Sequence, residues 1–377
     1  MDRPTDRGEL GERTAGVRFR LATPADDAAL QRLLRDNPMR GAITLSLERA
    51  PSYFHAAKIQ GRDHRTIVAE DANGHIVCAG ELAWRQRYVN GIPRRIGYLG
   101  ALRLDAAARS RANILRRGYA FARGIAMTAG VDLWFTSIAD DNARARRFLE
   151  ADLPGMPRYR PIDRYTTYVL PTHDGGRANP SIRPATPADL PAIGVLLRKY
   201  GATRQFAPVW EDADLSDPDL CRGLSPEDFV LQLDGNTLVA AAATWDQRAF
   251  RQVVIRGYAR PLAAVRPFLN AARCLTGLPR LPKLGERLNH AFVSHFACKG
   301  DAANAFARLL PALRRDAARR GIDAVTVGCS DTDPIARAVE RAGRSGRYHS
   351  QLYCVDWEGH PTIPLDSRPA SPEVALL

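Results

Sequence analysis

The pentapeptide Ala-Thr-Pro-Ala-Asp occurs twice, at 22–26 and 185–189, and each copy opens a longer ungapped match. RLATPADDAALQRLLR (20–35) aligns with RPATPADLPAIGVLLR (183–198) at an offset of 163 residues. In both, Thr-Pro supplies a helix N-cap and first helical position. Leu30, Leu33 and Leu34 then share one face, as do Ile193, Leu196 and Leu197. A second match follows in the same order. Ala112-Asn113 and GVDLWFTSIADDNARAR (130–146) correspond to Ala303-Asn304 and GIDAVTVGCSDTDPIAR (321–337), now offset by 191. Two ordered anchors argue for an internal duplication. The offsets differ by 28 residues, extra length that falls in the second copy near 251–289.

The duplication predicts domains at 17–170 and 182–357, joined by the turn-rich segment PTHDGGRANPS at 171–181. Flexible ends are expected at 1–16 and 358–377. A chain of 377 residues is long enough for two cores. No apolar run approaches the roughly 20 residues of a membrane span. The opening MDRPTDRGELGERT lacks the apolar stretch of a signal peptide. These features predict a cytoplasmic protein. Six scattered cysteines without a CxxC pair read as reduced core residues, and His290 and His295 fit no metal motif, so no metal site is expected. The net charge of +13 admits an anionic partner. Its arginines are spread along the chain with no aromatic-interleaved basic stripe, so nucleic acid is not expected as that partner.

Within the first copy, RTIVAED (65–71), HIVCAGELAWRQRYV (75–89) and IPRRIGYLGALRL (92–104) are rich in β-formers and separated by Asn73-Gly74 and Asn90-Gly91. That pattern predicts an antiparallel meander. A helical face at Ile114, Gly118, Phe121 and Ile125 follows. Then come a strand at 132–138, a helix from Asn142 and a strand at 164–170. The strand–helix–strand crossover calls for a parallel pair within a mixed sheet.

Chemistry points to LRLDAAARSRANILRRG (102–118), where a strand turns into a helix. Helix N-termini favour acidic side chains. Here Arg109, Arg111, Arg116 and Arg117 gather instead. Either a phosphate sits among the free amides, or these are solvated arginines. In the second copy Asp301 takes the N-cap position, which disfavours phosphate. Glu81 alternates with Val77, Ala79 and Ala83, so it lies either in apolar company, where its pKa would rise, or on an exposed strand face. In the first case it is the candidate base for deprotonating an amine, with Tyr98 on the next strand a candidate proton donor.

The element order and the segment Leu102-Arg103-Leu104 through Arg109-Ser110-Arg111-Ala112-Asn113-Ile114 resemble the GCN5-related N-acetyltransferase (GNAT) superfamily, with its R/Q-x-x-G-x-G/A turn. Ala112 and Ile114 stand where the family has its glycine positions. The helix start at Asn142 and Ala145 is similar to the family's N-x-x-A, and Leu149 stands where the family commonly has a tyrosine that protonates the thiolate. The resemblance implies an α/β fold of two tandem GNAT-like domains, each a mixed, mostly antiparallel twisted sheet flanked by helices. It implies acetyl-CoA or another acyl-CoA held by the turn and by strand residues 102–104, and transfer to a small-molecule or peptide amine. The departures at Ala112, Ile114 and Leu149 leave a second reading, a catalytically silent tandem protein that binds a ligand or partner in the same cleft.

Overall fold

The computed structural model describes residues 16–108, 112–173, 175, 179–272 and 279–377. Chain order in the first half is β1 (Val17–Leu21), α1 (Asp27–Asp36), β2 (Ile43–Glu48), α2 (Tyr53–Ala57), β3 (Asp63–Asp71), β4 (Ile76–Val89) and β5 (Ile92–Leu104). It continues with α3 (Ala112–Thr128), β6 (Leu133–Ala139), α4 (Ala143–Leu149) and β7 (Arg158–Pro171). The second half runs β8 (Ile182–Pro184), α5 (Leu190–Gly201), β9 (Phe229–Asp234), β10 (Thr237–Trp245), β11 (Gln252–Tyr258) and α6 (Arg260–Ala271). It ends with β12 (His290–Cys298), α7 (Ala302–Arg319), β13 (Ala324–Ser330), α8 (Ile335–Arg341) and β14 (Gly346–Asp356).

The repeated pentapeptide is a structural clamp. Thr23 and Asp26 form a capping box at the entry to α1. Arg20, on β1, forks onto Asp26 at 2.7 and 2.9 Å. Arg183 does the same to Asp189 at 2.8 and 2.7 Å. Each half thereby ties its edge strand to its first helix. The Arg20 guanidinium, assisted by the Thr23 amide, holds the Asp26 carboxyl down to about 2. The β4–β5 hairpin turns at Asn90 and Gly91, both at positive φ (54° and 79°), as a type I′ turn demands.

Twelve strands form one sheet in the order β1-β3-β4-β5-β6-β14-β7-β13-β12-β10-β9-β8. The order is the same from either edge. All pairings are antiparallel except β5–β6 and β12–β13. The centre holds an exchange. The last strand of the second half, β14, lies beside β6, while β7 of the first half lies beside β13. The two exchanged strands pair with each other over Arg158–Val169 and Gly346–Asp356. β11, from the extra length of the second half, pairs antiparallel with β2 in a separate ribbon.

The exchange mixes the cores. Tyr353, Val355 and Trp357 pack with Trp134 and Ile138 under α3, and Tyr168 and Leu170 pack with Leu309 and Leu313 of α7. A third core spans both halves and includes Tyr98, Phe135, Phe206 and Trp245. The expectation of a loose tail after residue 357 is corrected by this core: Ala370, Ala375 and Leu376 are fully buried in it. Cys78, Cys221, Cys298, Cys329 and Cys354 are buried free thiols.

Candidate active site

β5 and β6 run parallel and paired only where Ile96–Tyr98 meet Leu133–Phe135. Beyond that point they part. β6 continues along β14, and β5 continues along β4 alone. At the parting Ala101 adopts φ 51°, and the β4–β5 register slips between Ala79 and Glu81. Such a bulge bends a strand and re-aims its edge. Among the described residues no strand pairs with β5 beyond Tyr98 on its β6 side, so a wedge opens with backbone N–H and C=O groups along one wall.

β12 and β13 part in the same way after Phe292, with the bulge at His295 (φ 53°). This second wedge is filled. The His295 amide donates to Glu373 Oε2 at 2.9 Å. Val374, Ala375 and Leu376 follow into the gap, and Gly328 of β13 makes room: a Cβ there would fall 2.5 Å from the Cβ of Val374. Gln247 Nε2 donates to the Ala375 carbonyl at 3.0 Å, and Arg87 Nη1 donates to the Pro372 carbonyl at 2.8 Å. Burial pushes the Glu373 carboxyl up to about 7, against the downward pull of the His295 amide.

The two helix starts beside the wedges also differ. α3 begins at Ala112 with no acid in its first turn. α7 is capped by Asp301, which accepts from the Ala303 and Asn304 amides at 2.9 and 3.2 Å. Leu102 is exposed on the open wall, and Arg103 Nη1 donates to the Leu102 carbonyl at 2.9 Å. Leu104 packs half-buried toward the core under α3. Ala112 and Asn113 are exposed, whereas Arg109, Ser110 and Arg111 lie outside the described residues. Ile114 is buried in the core face of α3. Asn142 caps α4, accepting from the Ala145 amide at 3.2 Å. Arg117 reaches the Val17 carbonyl at 3.0 Å and lies over the Phe19 ring, which gives it a structural use.

Glu81 also departs from the reading. It is buried, but its company is charged. Arg49 grips both carboxylate oxygens, with Nη2 2.8 Å from Oε2, and His64 Nε2 lies 3.4 Å from Oε1. Burial alone would raise this carboxyl; Arg49 and His64 override it and hold Glu81 well below the usual carboxylate range. A raised pKa is therefore not its property. The Arg49 guanidinium stacks 4.5 Å from the Tyr53 ring centre. Tyr98 packs 5.1 Å from Phe135, and burial pushes its hydroxyl up to about 12, with Arg251, Arg87 and Arg49 pulling the other way. Arg251 comes from the second half, so both halves set the field at Tyr98. Arg49 and Arg251 were missed by sequence reasoning. Both stand among many arginines, and neither lies near its target in sequence.

The parted mixed sheet, the bulge and the helix starting beside the gap make a GNAT-like fold, in a form where two such units share one sheet. Among solved structures, N-myristoyltransferase of Saccharomyces cerevisiae with bound myristoyl-CoA is similar over 94% of this chain and 87% of its own, with a TM-score of 0.60 and 11% identity. A GCN5-related N-acetyltransferase from Sphaerobacter thermophilus is similar over 93% of this chain and 98% of its own, with a TM-score of 0.52 and 13% identity. No family model matches the chain, and no curated protein matches it in sequence.

Proposed function

We propose that the protein is an acyl-CoA-dependent N-acyltransferase that holds its cofactor in the first half and acts on a small-molecule or peptide amine. The inequality of the two wedges carries this reading. The first has an unpaired strand edge beside a helix start with no acid in its first turn, whereas the second is filled by 373–376 beside a helix capped by Asp301. The edge at Leu102, Arg103 and Leu104 offers alternating donors and acceptors to the amide-bearing arm of a CoA. The amides of Ala112 and Asn113, with Arg109, Ser110 and Arg111 before them, suit its pyrophosphate. Both solved N-acyltransferases share the fold, and one contains myristoyl-CoA.

Bound there, an acyl-CoA supplies an acyl thioester whose acyl group passes to the amine with release of the thiol. Tyr98 stays protonated at neutral pH and so serves as a hydrogen-bond donor near the parting of the strands. Glu81 stays ionised, and its charge keeps Arg49 and His64 oriented. It acts as a positioning residue, because a carboxylate stabilised in its charged form is a weak base.

Calorimetric titration of acetyl-CoA and longer acyl-CoAs tests the reading. One molecule should bind per chain. Arg109→Ala and Arg111→Ala should each weaken binding by ~1.5–3 kcal/mol, as expected for a hydrogen bond to a charged group. Lys299→Ala should leave it unchanged. Two molecules per chain, or loss only with Lys299→Ala, would move the cofactor to the second half. Failure of every acyl-CoA to bind would favour the silent reading.

A further inference from the structure

The segment between β11 and β12 carries a helix with apolar residues on two sides. No residue of α6 is buried. Leu262, Arg266, Leu269 and Asn270 are half-buried on one side: Arg266 Nη1 donates to the Leu281 and Pro282 carbonyls at 3.3 and 3.2 Å, and Asn270 exchanges hydrogen bonds with Leu281 at 2.9 Å. Tyr258 anchors the same loop through the Pro282 carbonyl at 2.7 Å. The apolar residues Val265 and Phe268, three apart on another side of the helix, are 45% and 75% exposed. Leu284, just beyond the anchored loop, is 65% exposed. Leu262 and Leu269 already supply the inward apolar residues of an amphipathic helix, so Val265 and Phe268 form a second apolar side that the described residues leave open to something outside the chain.

Charge identifies what that is. Across 251–272 and 279–289 there are seven basic residues and one acid, Glu286. Glu286 pairs with Arg280, and Arg256 pairs with Glu48. Arg260, Lys283 and Arg287 are exposed, with no ion pair among the described residues. A second copy meeting this face would set cation against cation. A surface that is apolar inside and anionic outside complements both features.

We propose that this unit is a docking surface for an anionic lipid bilayer, with Val265, Phe268 and Leu284 entering the boundary between headgroups and acyl chains and Arg260, Lys283 and Arg287 meeting lipid phosphates. The protein then lies on a membrane without spanning it. The inference stands apart from the acyl-CoA reading, because none of these residues belongs to the open wedge.

The test is co-sedimentation of the full chain with phosphatidylcholine vesicles, with and without phosphatidylserine. Wild type should bind the phosphatidylserine vesicles, bind phosphatidylcholine alone far more weakly, and be released by salt. Phe268→Ser with Leu284→Ser should weaken binding about tenfold or more. Arg260→Glu with Lys283→Glu should do the same while leaving the melting curve in place. Absence of binding to phosphatidylserine vesicles, or equal binding by all variants, overturns the proposal. So does concentration-dependent self-association abolished by Phe268→Ser without lipid binding, which would assign the face to a second copy.

Discussion

Glu81 and Arg49 are 2% and 9% exposed, and each is the other's main electrostatic partner. Breaking such a pair on one side strands a charge in a dry site, at a cost of ~3–5 kcal/mol. Glu81→Gln should therefore lower unfolding stability by about that amount, measured by urea titration. Replacing both partners with apolar residues, Glu81→Leu with Arg49→Met, should recover most of the loss. A Gln variant with an unchanged midpoint would show that the pair is solvated. At this scale the sequence was half legible. Period-2 alternation placed Glu81 on a strand face with Ala79 and Ala83, and the site is indeed buried. Its partner sits 32 residues earlier, and no local pattern connects a strand carboxylate to one arginine among many. The expected rise in the Glu81 pKa failed for that reason.

The two wedges arise from the same bulge, at Ala101 in β5 and at His295 in β12, yet only one is filled. The filling segment was misread because Pro361, Pro364, Pro369 and Pro372 make 358–377 look like loop. The few apolar residues after Glu373 become core only because the parted strands create a place for them. Glu373 makes this packing sensitive to pH. Its carboxyl has an ordinary value of 4.5 and stands near 7 in the fold, so the folded chain keeps a proton that the unfolded chain releases. Its contribution to stability is present below about pH 4.5 and is lost as pH rises through about 7. His295, which burial pushes down to about 3, works in the opposite direction between pH 3 and 6.5. The informative quantity is the difference between variant and wild type. Glu373→Gln should gain stability relative to wild type as pH rises from 4.5 to 7, read from melting temperatures across that range. A difference that does not change with pH would mean that Glu373 is ionised in the fold.

The ordered anchors at offsets of 163 and 191 fall on strands in equivalent places from the two edges of the sheet, β1 with β8 and β6 with β13. That much of the whole-molecule plan was legible. The exchange of β7 and β14 was not, because a strand's sequence fixes which face it buries and leaves open which of two similar neighbours it pairs with. The exchange changes what a cut between the halves should do. The connector at 171–181 has the turn-rich composition that proteases find. Each fragment would still be laced into the other: β14 lies between β6 and β7, β7 lies between β14 and β13, and the β2–β11 ribbon adds a second seam. Separating them would break three pairings of the main sheet, exposing six strand edges, and split the core shared by Tyr98, Phe135, Phe206 and Trp245. Limited proteolysis in the connector should therefore give two fragments on a denaturing gel that elute together at the intact size on native size-exclusion chromatography. They should part only when denaturant unfolds both in one transition. Fragments that separate in native buffer would mean that each half completes its own sheet.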